Sequence, residues 1–485
     1  MLFNSIEFAI FLPIIFVIYW FVVNRNLKVQ NLLLLLSSYI FYGWWDWRFL
    51  SLIIFSSIID FTVGLQLGRA KKELNRKWLL FISIFINIGL LGFFKYYNFF
   101  IESFIDAFTA FGHSPNIHTL RIILPVGISF YTFQTLSYSI DVYRRKLEPS
   151  YDFISFFAFV SFFPQLVAGP IERATNLLPQ FYKKRQFNLE QSIDGLRQML
   201  WGLFKKVVVA DNLCKIVDPI YNNPDEMSSL VLILGLALFS VQIYTDFSGY
   251  SDIAIGISRL LGFNLKINFR YPLFARSIGE RWRNWHISLS TWFRDYIYIP
   301  MGGSRGSNLN KFKNTLILFT ISGFWHGANW TFICWGLLNG LYFAPSMLRG
   351  RNRRHLEPIS KSKIFPSFKE FTQIFTTFWL IATTYIFFRA DNIQHSKQYF
   401  LSILSNTEIR ESFRFIENNL EDFLKAMFFT SILFLVEWIN RDKPHGLHGV
   451  FEMKPIVVRW GLYLAITFSI LIYGGEQAPF VYFQF

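Results

Sequence analysis

Eight apolar runs of near-membrane length divide this chain: 8–23, 49–65, 78–94, 122–140, 229–245, 371–388, 426–440 and 460–474. A helix needs about 20 mostly apolar residues to cross a bilayer, with about 17 as the lower limit. No water-facing surface could carry that much apolar side chain. Composition agrees, since 53% of the 485 residues are hydrophobic and only 16% charged, against about 25% charged in soluble domains. The chain reads as an all-α polytopic membrane protein. An ordinary cytosolic enzyme, a disordered scaffold and a secreted disulfide module are excluded. Cys214 and Cys334 form no C-x-x-C pair, which removes a cysteine-rich metal site.

Shorter or mixed runs at 31–45, 153–168, 196–210 and 315–324 predict broken, tilted or re-entrant pieces, and 329–348 is a further apolar run. Together these amount to about 11–13 transmembrane or re-entrant helices. No signal-peptide cleavage pattern follows the first run, so it is expected to remain as a helix. The net charge of +15 is spread over short segments between apolar runs, the pattern of cytoplasmic loops and not of a nucleic-acid surface. Segment 66–77 holds five Lys or Arg while 97–120 holds none, and 211–228 and 391–422 are net acidic. Taking basic loops as cytoplasmic places the amino terminus outside and residues 475–485 on the extracytoplasmic face. No repeat or low-complexity tract appears, so 1–485 reads as a single membrane-embedded domain. Segment 264–313 is too polar to span and too aromatic to be solvated, so it is expected to pack inward or lie at the interface.

Six of the eight histidines (His113, His118, His355, His395, His445 and His448) fall in polar segments and read as solvated surface residues. The other two differ. His326 lies in Ser322-Gly-Phe-Trp-His-Gly-Ala-Asn-Trp330, between two apolar runs that put it at membrane depth. An ionisable group there is costly and is a functional candidate by default. Flanking Gly323 and Gly327 allow a turn or close approach of substrate, and imidazole suits proton transfer near neutral pH. The plain alternative is a core histidine bonded to a carbonyl, and the functional reading is favoured over it. His286, in Arg281-Trp-Arg-Asn-Trp-His286, reads equally well as an interfacial loop residue. Gln134, in 129–141, and Asp246, in 244–252, are buried polar candidates that singly read better as structural hydrogen-bonding groups. No P-loop, dinucleotide fingerprint, zinc-protease motif or nucleophile elbow is present.

Several stretches together resemble the membrane-bound O-acyltransferases, in the branch that includes the membrane subunit of alginate O-acetylation. They are Pro125-Val-Gly-Ile-Ser-Phe-Tyr-Thr-Phe-Gln134, Phe163-Pro-Gln-Leu-Val-Ala-Gly-Pro-Ile-Glu-Arg173, Tyr244-Thr-Asp-Phe-Ser-Gly-Tyr-Ser-Asp252, Arg281-Trp-Arg-Asn-Trp-His-Ile-Ser-Leu-Ser-Thr-Trp292, Phe324-Trp-His-Gly-Ala-Asn-Trp330 and Phe480-Val-Tyr-Phe-Gln-Phe485. Only 349–369 and 391–422 lack family pattern. The resemblance implies helices around a central funnel, with His326 as the catalytic base. His286 would orient the donor or stabilise charge, beside Gln134, Asp246, Trp325 and Asn329. It implies transfer of an acetyl group from acetyl-CoA toward an external hydroxyl in the cytoplasmic (inner) membrane, with no tightly bound cofactor and no metal. A polysaccharide acceptor and an extracytoplasmic partner resembling SGNH hydrolases follow from it too.

Arg281, Arg283 and Arg294 suit the phosphates of CoA, though ordinary positive-inside topology explains each equally well. Tyr482 is a candidate relay nucleophile, with simple anchoring of the last helix as the rival. A transporter or flippase for a polysaccharide intermediate, or an assembly scaffold of a secretion complex, would also be polytopic with polar groups at mid-depth.

Overall fold

The computed structural model describes residues 1–113, 115, 117–357, 359, 364–449, 455–474, 480 and 481. All regular structure among them is helical. Six helical stretches are long and apolar enough to cross a membrane: Leu27–Arg69, Glu73–Ala110, Ser229–Leu260, Trp330–Leu348, Phe368–Arg389 and Ile456–Tyr473. The protein is thus an all-α, multi-pass membrane protein. In Ile456–Tyr473 only Ile466 is buried, so almost its entire apolar surface is left for lipid.

Polar residues at the turns set where helices begin. Asn26, Ser307, Asn329 and Asn392 each accept a backbone N–H in the first turn of the helix they precede, which satisfies donors that have no intrahelical partner. Ser367 and Glu370 form a reciprocal capping box ahead of Phe368–Arg389.

Two of the runs expected to be broken are intact. Segment 31–45 lies inside the 20-residue helix Leu27–Asp46, and 315–324 inside the 19-residue helix Asn308–His326. Asn31, Ser38 and Thr315 bond to partners without breaking the backbone, so they interrupt the hydropathy and not the helix. The run at 153–168 is broken at Phe162, between Phe153–Ser161 and Phe163–Leu166. That at 196–210 passes from Leu189–Leu203 into a π-helical turn, Phe204–Ala210. Conversely, the clear run at 122–140 yields only the 16-residue helix Ile128–Tyr143. Pro125 restricts both itself and its predecessor, and the chain before Ile128 is not helical.

The chain packs as two compact units, 1–193 with 257–266, and 194–256 with 267–485. The first is organised around buried polar groups. Asp60 accepts from Ser83 Oγ (2.5 Å), Ser139 Oγ (2.6 Å) and Asn87 Nδ2 (2.8 Å). Arg185 donates to Asn31 Oδ1 (2.6 Å) and Gln30 Oε1 (3.0 Å) and stacks over Phe263. Asp60 and Arg185 thus each have several polar partners, as buried charges require.

In the second unit, Asn308–His326 and Trp330–Leu348 form a helical hairpin. Gly323 and Gly336 face each other across it. A Cβ on Gly323 would lie 2.2 Å from the Phe332 carbonyl oxygen, and one on Gly336 would lie 2.3 Å from that of Phe319. The glycines therefore serve close helix approach, not the approach of substrate expected for Gly323. We expect Gly323→Ala to push the helices apart and cost about 1–3 kcal/mol. A lowered melting temperature of the purified protein, with acyl transfer reduced at least tenfold, is the outcome to look for.

Candidate active site

His326 is the last residue of the helix Asn308–His326, so the hairpin just described fixes its backbone. Its ring lies edge-on to Trp335 (5.1 Å between centroids), Phe388 (5.4 Å) and Trp325 (5.0 Å). The residue is 4% exposed. His286 comes from the aromatic segment after residue 264, which packs inward as its composition required: Trp285, Trp292 and Phe293 are all buried. The backbone of His286 is left-handed, with φ 43° and ψ 54°. That conformation costs a non-glycine residue about 1–2 kcal/mol.

Asn268 holds His286 in place. Its Oδ1 lies 3.1 Å from His286 Nδ1 and also accepts from Ser288 Oγ (2.9 Å), while its carbonyl takes the Ile287 N–H (2.9 Å). Asn268 Nδ2 donates to Ser251 Oγ (3.1 Å), which orients the carboxamide. The tautomer that fits carries its proton on Nδ1 and keeps the Nε2 lone pair.

Both histidines line one cavity of about 450 Å³. Its walls are largely apolar, with Trp282, Trp285, Leu289, Phe293 and Phe319 among them, and Ser290, Thr291 and Ser322 add hydroxyls. Arg283, Arg294 and Arg353 also line it. Such a chamber places two imidazoles and several cations along one largely apolar wall.

The other expected site residues are placed as follows. Trp325 touches both imidazoles, 6.0 Å from His286 and 5.0 Å from His326, and acts as packing between them. Arg294 lines the cavity while bonded to Asp295 (2.6 Å). Arg283 donates to the backbone carbonyls of Asn352, Arg354 (2.8 Å) and His355 (3.2 Å), so its donors are spent on strapping segment 352–355 beside the cavity. Arg281 is buried, stacked 4.2 Å over Trp285 and bonded to Tyr385 Oη. It is not among the residues that line the cavity. Asn329 Oδ1 caps Trp330–Leu348 and its Nδ2 donates to the Asp391 carbonyl (2.7 Å). Gln134 belongs to the first unit and donates to the Phe159 carbonyl (2.7 Å).

Asp246 ties separate segments of the second unit together. It is ion-paired with Lys206 (2.7 Å) and accepts the Val481 N–H at Oδ2 (2.8 Å). Phe480 lies against Tyr250 (5.1 Å) and Phe247 (5.9 Å). The chain is therefore drawn into the second unit just before Tyr482, which itself lies outside the described residues. One histidine read as solvated is corrected: His445 is buried, and it shares Asp194 with the more exposed His448.

Asn268 and Arg353 carried no signal in the sequence. Asn268 stands 18 residues before His286, and Arg353 sits in a basic stretch with no pattern.

The model of the membrane-bound O-acyltransferase family matches residues 144–387. A probable alginate O-acetylase, AlgI, of Pseudomonas aeruginosa is 38% identical over 401 residues, covering 81% of this chain and 73% of that protein. The probable alginate O-acetylase AlgI of Pseudomonas putida is 34% identical over all of both chains. A peptidoglycan O-acetyltransferase of Helicobacter pylori is 31% identical, covering 100% of this chain and 98% of its own length. The chain belongs to the membrane-bound O-acyltransferase family and is an O-acyltransferase.

Proposed function

We propose that this enzyme moves an acetyl group from cytoplasmic acetyl-CoA to hydroxyls of an extracytoplasmic polysaccharide, directly or through an SGNH-hydrolase-like partner protein. Its place is the cytoplasmic membrane. The observation that carries the reading is the pair of imidazoles, His286 and His326, on one largely apolar cavity. The alginate and peptidoglycan acetylating relatives support a polymer acceptor.

In the proposed step, His326 takes the proton of the attacking hydroxyl as its oxygen bonds to the acyl carbon. The carbon–sulfur bond then breaks, and the thiolate leaves with the proton that His326 returns. His286, with Nδ1–H held by Asn268, orients the donor by accepting a hydrogen bond at Nε2. The aromatic walls keep water from competing with the acceptor. Arg294 and Arg353 supply the positive charge for the donor's phosphates.

Inverted membrane vesicles carrying the protein test the reading, with radiolabelled acetyl-CoA supplied outside and polymer inside. Release of CoA matched by label on the polymer is expected. Polymer movement with no CoA release would make the protein a transporter and overturn the reading.

Two finer expectations follow. Arg294→Gln and Arg353→Gln should each raise the KM for acetyl-CoA about tenfold and leave kcat within about twofold, because they bind the donor equally in ground and transition states. Initial rates against donor concentration decide this. Asn268→Ala should lower kcat about 10- to 100-fold with KM little changed, by freeing the His286 ring. Asn268→Asp keeps the acceptor oxygen and should restore most of the loss, whereas equal losses would make Asn268 merely structural.

A further inference from the structure

Acyl transfer leaves unexplained one cluster of metal-ligating side chains. Asp194 lies on the helix Leu189–Leu203, and His445 and His448 lie three residues apart in the turn after Leu420–Ile439. His445 Nε2 is 3.0 Å, and His448 Nδ1 2.9 Å, from the same oxygen, Asp194 Oδ1. One ligand atom from each of the three residues lies within 4.8 Å of the other two. The His445 side chain is fully buried, whereas those of Asp194 and His448 are 19% and 38% exposed. The group thus has a buried base and one open side.

We propose that Asp194, His445 and His448 bind a divalent transition metal of the zinc class through three protein ligands. Metal–ligand bonds of about 2.0–2.2 Å in tetrahedral geometry put ligand atoms roughly 3.3 Å apart, so the two histidine–carboxylate spacings of 3.0 and 2.9 Å need to open by only a few tenths of an ångström. Two imidazoles with one carboxylate are a donor set for zinc and its neighbours; calcium and magnesium take oxygen ligands.

The turn that carries both histidines is held before any ligand arrives. A Cβ on Gly446 would lie 2.6 Å from the Trp201 indole, so the turn rests directly on that ring. Asn440 Nδ2 donates to the Gly446 carbonyl (2.9 Å), and His448 N–H to that of His445 (3.1 Å).

The surroundings of His445 also suit a ligated imidazole. Its Nδ1 has no hydrogen-bond partner among the described residues. The residue walls a chamber of about 10 Å³ together with Lys205, Asp252 and Glu437, room for about one water. A metal-bound histidine needs an acceptor for its second N–H, and these carboxylates supply one through a single bridging water. The competing arrangement has two imidazole N–H groups converging on one carboxylate oxygen without a metal. In the proposed site the ion fastens the 440–449 turn to Leu189–Leu203.

The test uses the full chain, purified in detergent with a tag that contains no histidine, stripped with EDTA and dialysed after exposure to zinc. Elemental analysis should find one zinc per chain in the wild type and background zinc in Asp194→Asn and His445→Gln. Zinc should also raise the melting temperature of the wild type alone, and cobalt in its place should give the visible absorption of a tetrahedral site. His448→Gln alters the most exposed ligand and covers the case in which the buried variant misfolds; it should weaken zinc binding at least about tenfold. A wild type that retains no zinc, or variants that retain as much as it does, would overturn the proposal. None of these readouts depends on acyl transfer.

Discussion

Replacing His326 with alanine is expected to lower kcat for acetyl transfer by about 10²- to 10⁴-fold, the usual worth of a positioned general base. The KM for acetyl-CoA should change by less than about threefold, because proton removal helps the transition state alone. Truncation also opens space between Trp335, Phe388 and Trp325, which costs about 1–3 kcal/mol of stability. His326→Gln separates the two effects. Glutamine fills most of the ring's volume and keeps hydrogen-bonding capacity, but it cannot accept a proton near neutral pH. A Gln variant that melts like the wild type yet is as inactive as the Ala variant supports the base. A Gln variant with near-normal turnover would reduce His326 to a core residue. The companion His286→Ala should cost less, about 10- to 100-fold, if its task is orientation.

Tyr482→Phe is expected to bring acetylation of the external acceptor to background without changing protein abundance. Here the substitution removes one oxygen and leaves the aromatic ring. In the relay, the Tyr482 phenol attacks the thioester carbon, its proton passes to a base such as His326, and the C–S bond breaks to leave a phenyl ester. A phenol with pKa about 10 and a thiol with pKa about 8.5 are similar leaving groups, so neither this transfer nor onward transfer to a hydroxyl is steeply uphill. What supports a relay is the way the segment is secured just before it: Val481 on Asp246, with Lys206 and Asp211 behind, and Phe480 on Tyr250. An anchor needs only apolar contact with lipid, whereas this attachment uses a buried ion pair. Labelled acetyl trapped on the terminal peptide of the wild type, and lost in the variant, is the direct measurement. Wild-type acetylation in Tyr482→Phe would leave the segment as an anchor.

The membrane class, the helical architecture and the two histidines were legible without coordinates. Apolar length is a one-dimensional property, and a histidine between two apolar runs has nowhere cheap to sit. The glycines beside His326 suggest a turn or room for substrate, yet Gly323 is where two backbones meet and Gly327 ends the helix against the Phe332 ring, since a small residue looks the same whatever lies opposite. Arg281, Arg283 and Arg294 are close in sequence to His286 but make different contacts: Arg281 stacks on Trp285, while Arg283 and Arg294 both line the cavity, the first bonded to backbone carbonyls and the second to Asp295. Spacing along a short, irregular segment does not say where each side chain goes.

Arg353 and Asn268 reach the site only through tertiary packing, and Gln134, Asn329 and Asp246 satisfy neighbours far along the chain. The sequence by itself determined what this chain must be dissolved in and which side chains are costly there. Only the tertiary structure decided which of those costs are cancelled by a partner and which groups are left facing a cavity. Hydrophobic length is a sum over neighbours in the chain, whereas hydrogen bonds and ion pairs depend on distances that folding alone sets.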